Sequence, residues 1–173
     1  MTRMDEVILV DEKDVPTGRM EKMEAHRRAL LHRAFSVFVF NSRGEMLLQR
    51  RAGGKYHSAG LWTNACCSHP RPGEDTDKAA GRQLHEELGF ATPLEKSFEF
   101  TYRSEFDNGL TEYEFDHVFT GIYDGEVFPD STEVSEYSWL PPDDIRVRLA
   151  REPQQFTSWF RLAFPMICEK MGI

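Results

Sequence analysis

The chain has 173 residues and a formal net charge of −8, with 40% hydrophobic and 29% charged residues. This length and composition are typical of one globular domain and exclude a disordered or disulfide-stapled chain. The acidic charge argues against broad nucleic-acid binding, and no run of about 18 apolar residues is available for a membrane span. Three cysteines, two of them adjacent, make a poor disulfide framework and favour a reduced, cytoplasmic protein.

The first third of the chain predicts short strands joined by turns and one helix. Its first apolar run has only four residues before acidic ones, which is not typical of a signal peptide. Runs of valine and phenylalanine predict the strands, and glycines predict the loops. The expected elements are a strand at 7–10, a turn at 15–18, a helix at 21–31, strands at 34–40 and 46–50 joined at 41–44, and a loop at 52–63.

The clearest helix is predicted over residues 76–88. Asp75 stands where an N-cap residue belongs, and Gly89 stands where a glycine ends many helices. Apolar residues at 80, 84 and 88 form one face of this helix. We therefore expect the helix to pack against a sheet.

The remaining chain predicts three strands and a terminal helix. Residues 98–104 alternate in polarity, and Asn108-Gly109 is a strong hairpin signal before a strand at 111–120. A further strand at 134–140 ends at two prolines, and Pro165 is expected to kink or break the terminal helix. The sequence thus predicts an α+β fold, with mixed or antiparallel sheets and flanking helices, in a single compact domain over residues 1–173.

Histidines and carboxylates recur in a pattern that suits metal binding. Glu112 and Glu114 share one face of a strand, and two like charges so placed repel unless a cation, a proton or a basic group lies between them. Cys67 and His69 would share a face in the same way. The candidate donors are His26, His32, His69, Glu112 and Glu114. Taken alone, each has an ordinary structural or solvated alternative, but together they suit a divalent transition metal.

The helix at 76–88 carries closely spaced charges. By composition alone this is a solvated face with ion pairs four residues apart, and the alternative is a site for a hard cation. The segment resembles the Nudix box, G-x5-E-x7-R-E-U-x-E-E-x-G-U, where U is aliphatic. The matching residues are Glu74, Arg82, Glu86, Glu87 and Gly89. Ser68 and Gln83 depart from the pattern, and the missing glutamate at position 83 weakens the case for pyrophosphate hydrolysis.

The chain as a whole resembles the type I isopentenyl-diphosphate isomerases, which have a Nudix-like fold. The stretch from Trp62 to Pro70 is the most specific, because ordinary Nudix hydrolases lack it. The matching motifs are Pro16-Thr17-Gly18, Glu21-Lys22, His26, His32-x-Ala34-Phe35-Ser36, Arg50-Arg51-Ala52, Lys55, Trp62-Thr63-Asn64, Cys67-x-His69-Pro70, Glu87-Leu88-Gly89, Tyr102-Arg103, Glu112-x-Glu114 and Trp159. They extend over nearly the whole chain.

This resemblance implies two metal sites. The first holds Mn²⁺ or Zn²⁺ on the three histidines and two glutamates named above. The second holds Mg²⁺ on Glu87, the backbone carbonyl of Cys67 and the diphosphate of the substrate. The N-terminal segment, residues 1–33, would contribute metal and substrate ligands.

The resemblance also implies the reaction, which converts isopentenyl diphosphate to dimethylallyl diphosphate in isoprenoid biosynthesis by proton addition and loss through a tertiary carbocation. Cys67 and Glu114 are the expected acid–base pair, in either order, and both need pKa values tuned toward neutrality. Tyr102 is the expected proton relay, and Trp159 or Trp62 the aromatic face that stabilises the cation. The residues expected to hold the diphosphate are Lys22, Arg51, Lys55 and Arg82. Arg82 is included because the family has a diphosphate-binding arginine in this helix at the position of Gln83, and Arg82 lies beside it.

The expected partner is a small allylic or homoallylic diphosphate, with no nucleic acid and no membrane, and we expect a monomer or a weak dimer. Two rival functions would use the same scaffold: a Nudix hydrolase acting on a nucleoside or other diphosphate, and a binding module without catalysis. Gln83 argues against the first, and intact Cys67 and Glu114 argue against the second. Three histidines fall outside the matched positions and are expected to be structural or solvated: His57, His85 and His117.

Overall fold

The computed structural model describes residues 5–173, which form nine β-strands and four α-helices. The strands are β1 (Glu6–Val10), β2 (Pro16–Glu21), β3 (His32–Phe40), β4 (Met46–Arg51), β5 (Trp62–Thr63), β6 (Cys66–Ser68), β7 (Glu95–Glu105), β8 (Thr111–Ile122) and β9 (Val134–Leu140). The helices are α1 (Lys22–Arg27), α2 (Thr76–Leu88), α3 (Pro142–Arg151) and α4 (Ser158–Met171). The first four residues of the predicted N-terminal segment lie outside the described residues.

Strand β3 is the centre of the sheet, because four other strands pair with it. It pairs antiparallel with β1, β4 and β6, and parallel with β8. Strand β7 pairs with the outer edge of β8, β2 with β1, and both β5 and β9 with β4. The parallel β3–β8 pair among antiparallel neighbours makes the sheet mixed, as the sequence predicted.

Alternation along β3 divides the apolar interior between the two faces of the sheet. Phe35 and Val37 pack on the side covered by α2, where Leu84 is also fully buried. Phe38 and Phe40 point the other way and pack against α3 and α4. Since successive side chains of a strand point to opposite faces, one strand supplies both cores.

Helix α2 has the bounds that the sequence predicted. Asp75 is its N-cap residue, but the Asp75 carboxylate accepts no hydrogen bond from a backbone N–H of the first turn. Gly89 follows the last residue with a φ of +73°, and its N–H donates to the carbonyl of His85. Only glycine adopts this left-handed conformation without steric cost, which explains why the helix ends there.

Three local predictions were wrong. The chain reverses between Asp11 and Val15, so residues 16–18 begin β2 instead of forming the turn. The first helix covers only Lys22–Arg27 of the predicted 21–31. Pro141 and Pro142 end β9 as expected, but Pro142 also begins helix α3, which was not predicted. A proline fits the first turn of a helix because the N–H that it lacks has no partner there.

Pro165 does not break helix α4, which continues from Ser158 to Met171. Pro165 lies on the exposed side of the helix, while Phe164 and Ile167 lie on its buried side. The carbonyl that loses its intrahelical partner therefore faces water, and packing of the buried face maintains the helix. Among residues 5–173, no helix is long and apolar enough to cross a membrane.

The close approach at the end of α2 gives a stability prediction. A Cβ on Gly89 would lie 2.7 Å from both Cβ and the carbonyl oxygen of Phe128. Gly89→Ala should therefore lower the free energy of unfolding by about 2–4 kcal/mol, from left-handed backbone strain and overpacking together. Urea denaturation measures the loss.

Gly44→Ala is the matched control. Gly44 has nearly the same φ, +76°, but nothing lies within 4 Å of the position that a Cβ would take there. Gly44→Ala should therefore lower the free energy of unfolding only by the cost of left-handed backbone strain, about 1–2 kcal/mol. Equal losses in the two variants would contradict the steric role assigned to Phe128.

Candidate active site

One face of the sheet carries the polar side chains that the sequence singled out. Tyr102 on β7 pairs with Glu114 on β8, and Glu114 pairs in turn with His32 on β3. Paired residues on neighbouring strands share a face, and so do residues two apart. Glu112 therefore projects beside Glu114. The strand register alone brings these four side chains together.

The same rule decides which of the two adjacent cysteines faces the site. Cys67 on β6 pairs with Ser36 on β3, while Cys66 pairs with Val37. Ser36 lies on the His32 face, so Cys67 does as well. Cys66 points to the opposite face and is fully buried in the core beneath α2. Its neighbour Cys67 borders a cleft.

The histidine rings of the cluster direct their Nε2 atoms toward one another. In His26, Nδ1 donates to the carbonyl of Lys22 at 2.6 Å, and in His32, Nδ1 donates to the carbonyl of Leu30 at 2.8 Å. A carbonyl oxygen only accepts, so each neutral ring keeps its proton on Nδ1 and a lone pair on Nε2. Nε2 of His32 lies 3.3 Å from Nε2 of His69.

The Nε2 atoms of the three histidines lie close to the two carboxylates. Oε1 of Glu114 lies 2.9 Å from Nε2 of His69 and 3.4 Å from Nε2 of His32. Donor atoms of His26, His32, His69 and Glu114 all lie within 4.8 Å of one another. Nε2 of His26 is buried without a hydrogen-bond partner among the described residues. A cation bound between these atoms would satisfy them, so the donor set fits a divalent transition metal.

Glu112 and Glu114 are buried anions with opposing influences on them. Burial alone raises the pKa of each carboxyl group. The imidazoles of His32 and His69 nevertheless hold the pKa of Glu114 well below its ordinary value, and those of His26 and His57 lower that of Glu112. The carboxylate form is thereby favoured, as metal ligation requires.

Tyr102 links the two carboxylates. Its hydroxyl lies 2.6 Å from Oε2 of Glu114 and 2.9 Å from Oε2 of Glu112, and it is the donor to both. Burial and the two neighbouring anions raise the pKa of the phenol well above its ordinary value. Tyr102 therefore keeps its proton and remains available as a donor to either oxygen.

The Cys67 thiol has two polar contacts, and a third polar group lies behind one of them. It donates to Oδ1 of Asn64 at 3.3 Å and lies 3.4 Å from Oγ of Ser36, which itself donates to Oδ2 of Asp116 at 2.6 Å. Desolvation and the Asp116 carboxyl raise the pKa of the thiol, and the Ser36 and Asn64 contacts oppose this. Sequence reasoning missed Asp116, although its place two residues after Glu114 puts it on the same face of β8.

The cleft beside Cys67 has a volume of about 220 Å³. This is smaller than the ~300–1,000 Å³ that drug-sized ligands occupy, and it suits a small substrate. Among the residues that line it are all of the predicted acid, base and diphosphate-binding residues: Lys22, Arg51, Lys55, Cys67, Arg82, Tyr102, Glu114 and Trp159. The wall thus combines an anion-binding part with a reactive part.

The cations of the cleft are only partly paired. Lys55 forms an ion pair with Glu133. Arg51 is buried, donates from Nη2 to the carbonyl of His57, and has no partner for Nε among the described residues. A buried guanidinium N–H without an acceptor is costly, so an anion bound at Arg51 would be stabilised.

Arg82 reaches the cleft but is held by acidic neighbours. Its Nε and Nη2 donate to the two oxygens of Glu74 at 2.8 and 2.9 Å, and Nη1 lies 3.4 Å from Glu86. Gln83 accepts from Arg82 and donates to Glu87. Position 83, where the Nudix box has a glutamate, thus carries an amide that donates to Glu87. Glu87 itself is buried and borders the cleft.

The two candidate tryptophans differ in position. Trp159 is 2% exposed, borders the cleft, and lies 5.2 Å from the Arg51 guanidinium. Trp62 packs against the core beside α4 instead. Trp159 is therefore the aromatic ring that can face a bound substrate.

His57, which the sequence predicted to be structural or solvated, is buried and lies in the cluster. Its Nε2 is 2.6 Å from Oε1 of Glu112. The loop that carries it gave no periodic signal, and its one indication was its place between the site residues Lys55 and Trp62. The other two histidines outside the matched positions agree with the prediction, since His85 is exposed and His117 pairs with Asp14.

The comparisons with known proteins agree with this geometry. The family model described as "NUDIX domain" matches residues 30–160. An isopentenyl-diphosphate Delta-isomerase of Pectobacterium atrosepticum is 52% identical over 166 residues, covering 95% of this chain and 92% of the relative. An isopentenyl-diphosphate Delta-isomerase of Burkholderia multivorans is 50% identical over 156 residues, covering 90% and 89%.

Solved structures support the fold independently. The DR0079 protein of Deinococcus radiodurans superposes with a TM-score of 0.77 at 19% identity, over 94% of this chain and 98% of that one. A MutT protein of Methanosarcina mazei gives 0.68 at 22% identity, over 83% and 96%. At identities this low, the TM-scores establish a shared fold and nothing more. They confirm the Nudix-like α+β class expected from the sequence.

The carboxyl group of Glu87 gives a pH prediction. Burial raises its pKa from 4.5 to about 7. The folded chain therefore holds a proton that the unfolded chain has lost in this window, and stability falls as the pH rises through it. In chelator-treated protein, Glu87→Gln should gain stability over the unmutated protein, from almost nothing near pH 4 to on the order of 3 kcal/mol near pH 8.

Thermal or urea unfolding at several pH values measures this difference. Glu86→Gln is the control, because Glu86 is exposed on the same helix turn. Its stability relative to the unmutated protein should not change across the window. A pH-independent difference for Glu87→Gln would refute the raised pKa.

Proposed function

This chain belongs to the NUDIX family and, within it, to the isopentenyl-diphosphate Delta-isomerases, and we propose that it interconverts isopentenyl and dimethylallyl diphosphate at the cleft beside Cys67. It is an enzyme, a C=C transposing isomerase. The observation that carries the assignment of the site is the joint presence of Cys67, Glu114 and Trp159 in one cleft with five lysine and arginine side chains.

The reaction adds a proton to one carbon of the alkene and removes one from another. Cys67 and Glu114 are the two groups that exchange these protons with the substrate. Because the reaction is reversible, the group that acts as the acid in one direction acts as the base in the other. The raised pKa of Cys67 supports a protonated thiol in the resting enzyme, and the lowered pKa of Glu114 supports a carboxylate. Tyr102, hydrogen-bonded to Glu114, is the proton relay.

Protonation produces a tertiary carbocation that water would capture. Trp159 presents an indole ring to the cleft, and such a face stabilises a cation by about 2 kcal/mol when desolvated. The helix that carries Trp159 packs its other buried side chains into the core, which fixes the position of the indole at this end of the cleft. The ring is thus placed to protect the intermediate.

The diphosphate end is held by charge. Lys22, Arg51 and Lys55 line the cleft and are the groups that bind and orient the diphosphate, with Arg82 beside them. Glu87 and the backbone carbonyl of Cys67 would hold Mg²⁺, which neutralises part of the diphosphate charge when bound. Fixing this end restrains the five-carbon chain against the acid–base pair.

The second ion belongs at the His/Glu cluster. His26, His32, His69, Glu112 and Glu114 would hold Mn²⁺ or Zn²⁺, whose charge keeps the adjoining carboxylates ionised and fixes their orientation. The substrate itself is a small allylic or homoallylic diphosphate, and the protein works as a monomer or a weak dimer in the cytoplasm. Nucleic acid and membranes have no part in this function.

Replacement of the proposed thiol tests the acid–base pair. Cys67→Ala should lower kcat for conversion of isopentenyl to dimethylallyl diphosphate by at least about 10²-fold, because general acid–base groups contribute ~10²–10⁴. Cys66→Ala, which removes the thiol on the opposite face of the sheet, should retain kcat within a few-fold. Product is measured by chromatography in the presence of Mg²⁺ and Mn²⁺, with circular dichroism as a check on folding.

Equal activities of the two cysteine variants would contradict the assignment of Cys67. Isomerase activity absent from the unmutated, metal-loaded protein, together with phosphate release from a nucleoside diphosphate, would favour a hydrolase instead. Both substrates are therefore assayed in parallel.

Metal removal is a separate prediction. Treatment with a strong chelator, followed by its removal, should abolish isomerisation, because the buried carboxylates then lack their counter-charge. Mg²⁺ alone should restore less activity than Mg²⁺ with Mn²⁺ or Zn²⁺, since the imidazole-rich cluster prefers a transition metal. Full activity in metal-free protein would refute both proposed sites.

A further inference from the structure

His57 is the one histidine of the cluster that no matched motif contains. It lies in the loop between β4 and β5, is 5% exposed, and stacks on Phe106 at 4.4 Å with an interplanar angle of 7°. Its edge also faces Trp159, with ring centroids 5.7 Å apart. The imidazole is therefore held in one orientation by aromatic rings on two sides.

The backbone around His57 is also constrained. Arg51 donates to the carbonyl of His57 at 3.2 Å, and Asn108 donates to the carbonyl of Tyr56 at 2.9 Å. Ser58 has a φ of +53°, in the left-handed region that non-glycine residues rarely adopt. Strain of about 1–3 kcal/mol of this kind persists where surrounding contacts impose it, often at a functional site.

Nε2 of His57 has a polar neighbour but no hydrogen bond. It lies 2.6 Å from Oε1 of Glu112, yet no acceptor among the described residues meets hydrogen-bond geometry with it. Nε2 of His26 is in the same situation, buried and 3.8 Å from the same Glu112 oxygen. Two buried imidazole nitrogens without partners, both directed at one carboxylate oxygen, are costly unless a ligand lies between them.

The other ring nitrogen of His57 supports a lone pair at Nε2. Nδ1 lies 3.1 Å from Oγ of Ser58, and a hydroxyl can accept the Nδ1 proton. The neutral ring then has its lone pair on Nε2, facing Glu112. Donor atoms of His26, His57 and Glu112 all lie within 4.8 Å of one another, as ligands of one metal do, and this second group shares His26 with the group of His32, His69 and Glu114.

We propose that His57 is a direct ligand of the transition metal at the His/Glu cluster, on the side formed by Glu112 and His26. This inference rests on the metal site proposed above and adds a fourth imidazole to it. His57 thereby joins the β4–β5 loop, which also contains Lys55, to the metal. The preferred ion is a divalent transition metal, because imidazole donors outnumber carboxylates in the completed set.

Co²⁺ binding tests the proposal without an activity assay. Metal-free full-length protein is titrated with Co²⁺ in competition with a chelator, and the visible absorption spectrum of the bound ion is recorded. His57→Ala and His57→Gln should both weaken Co²⁺ affinity by about 10–100-fold, on the scale of lost metal-site interactions. Both should also change the ligand-field spectrum, because a nitrogen donor is replaced.

His85→Gln is the matched control, since His85 is exposed on α2 and distant from the cluster in the fold. It should retain both the affinity and the spectrum. The glutamine variant at position 57 preserves most of the ring volume, and circular dichroism of the metal-free proteins checks that each variant is folded.

The outcomes are distinct. An unchanged Co²⁺ spectrum in folded His57 variants would overturn the proposal, whatever the affinity, because the donor set would then be intact without His57. Absence of Co²⁺ binding to the unmutated protein would overturn the His/Glu metal site itself, and this inference with it. A weakened affinity with an altered spectrum supports His57 as a ligand.

Discussion

Two carboxylates side by side inside the protein are the constraint around which the site is organised. Glu112 and Glu114 are each 5% exposed and project from the same face of β8. Burial and mutual repulsion disfavour the charged forms, so positive charge or strong donors must compensate. The Tyr102 hydroxyl contributes one donor to both, and the surrounding imidazole nitrogens converge where a cation would complete the compensation.

The Trp-Thr-Asn motif joins this polar site to the helix that closes it. Thr157, the N-cap of α4, donates to Oγ1 of Thr63, and Thr63 donates to Oδ1 of Asn64. Asn64 accepts from the Cys67 thiol. Trp159 follows two residues after Thr157, so the same hydrogen-bond chain places both the thiol and the indole. The motif therefore has a definite structural role at this site.

Regular patterns were predictable, and contacts between distant segments were less so. Helix α2 was predicted with its bounds because an apolar stripe and the terminal glycine act locally, and the Asn108-Gly109 turn indicated the pairing of β7 with β8. Helix α3 was missed because Pro142 was interpreted only as a strand breaker, although a proline also suits the first turn of a helix.

The site residues also divide into those placed by local spacing and those placed by contacts between distant segments. The spacing of i and i+2 on a strand places Glu112 beside Glu114, whereas the approach of His26 and His32 to them depends on how α1 and β3 are placed in the fold. His57 was missed because its position depends on a loop whose conformation is set by contacts with Arg51 and Asn108, far apart in sequence. No local pattern encodes such a contact.

The short strand β6 has an implication for how this sequence can vary. Its two cysteines occupy opposite faces because they are adjacent in a strand, and the register in which β6 pairs with β3 decides which of them faces the site. Removal or addition of one residue before Cys66 would shift the strand by one pleat and direct Cys66 toward the cleft and Cys67 into the core. Single substitutions in this strand therefore leave the facing of both cysteines unchanged. A single-codon insertion or deletion would instead reverse which of the two cysteines faces the cleft.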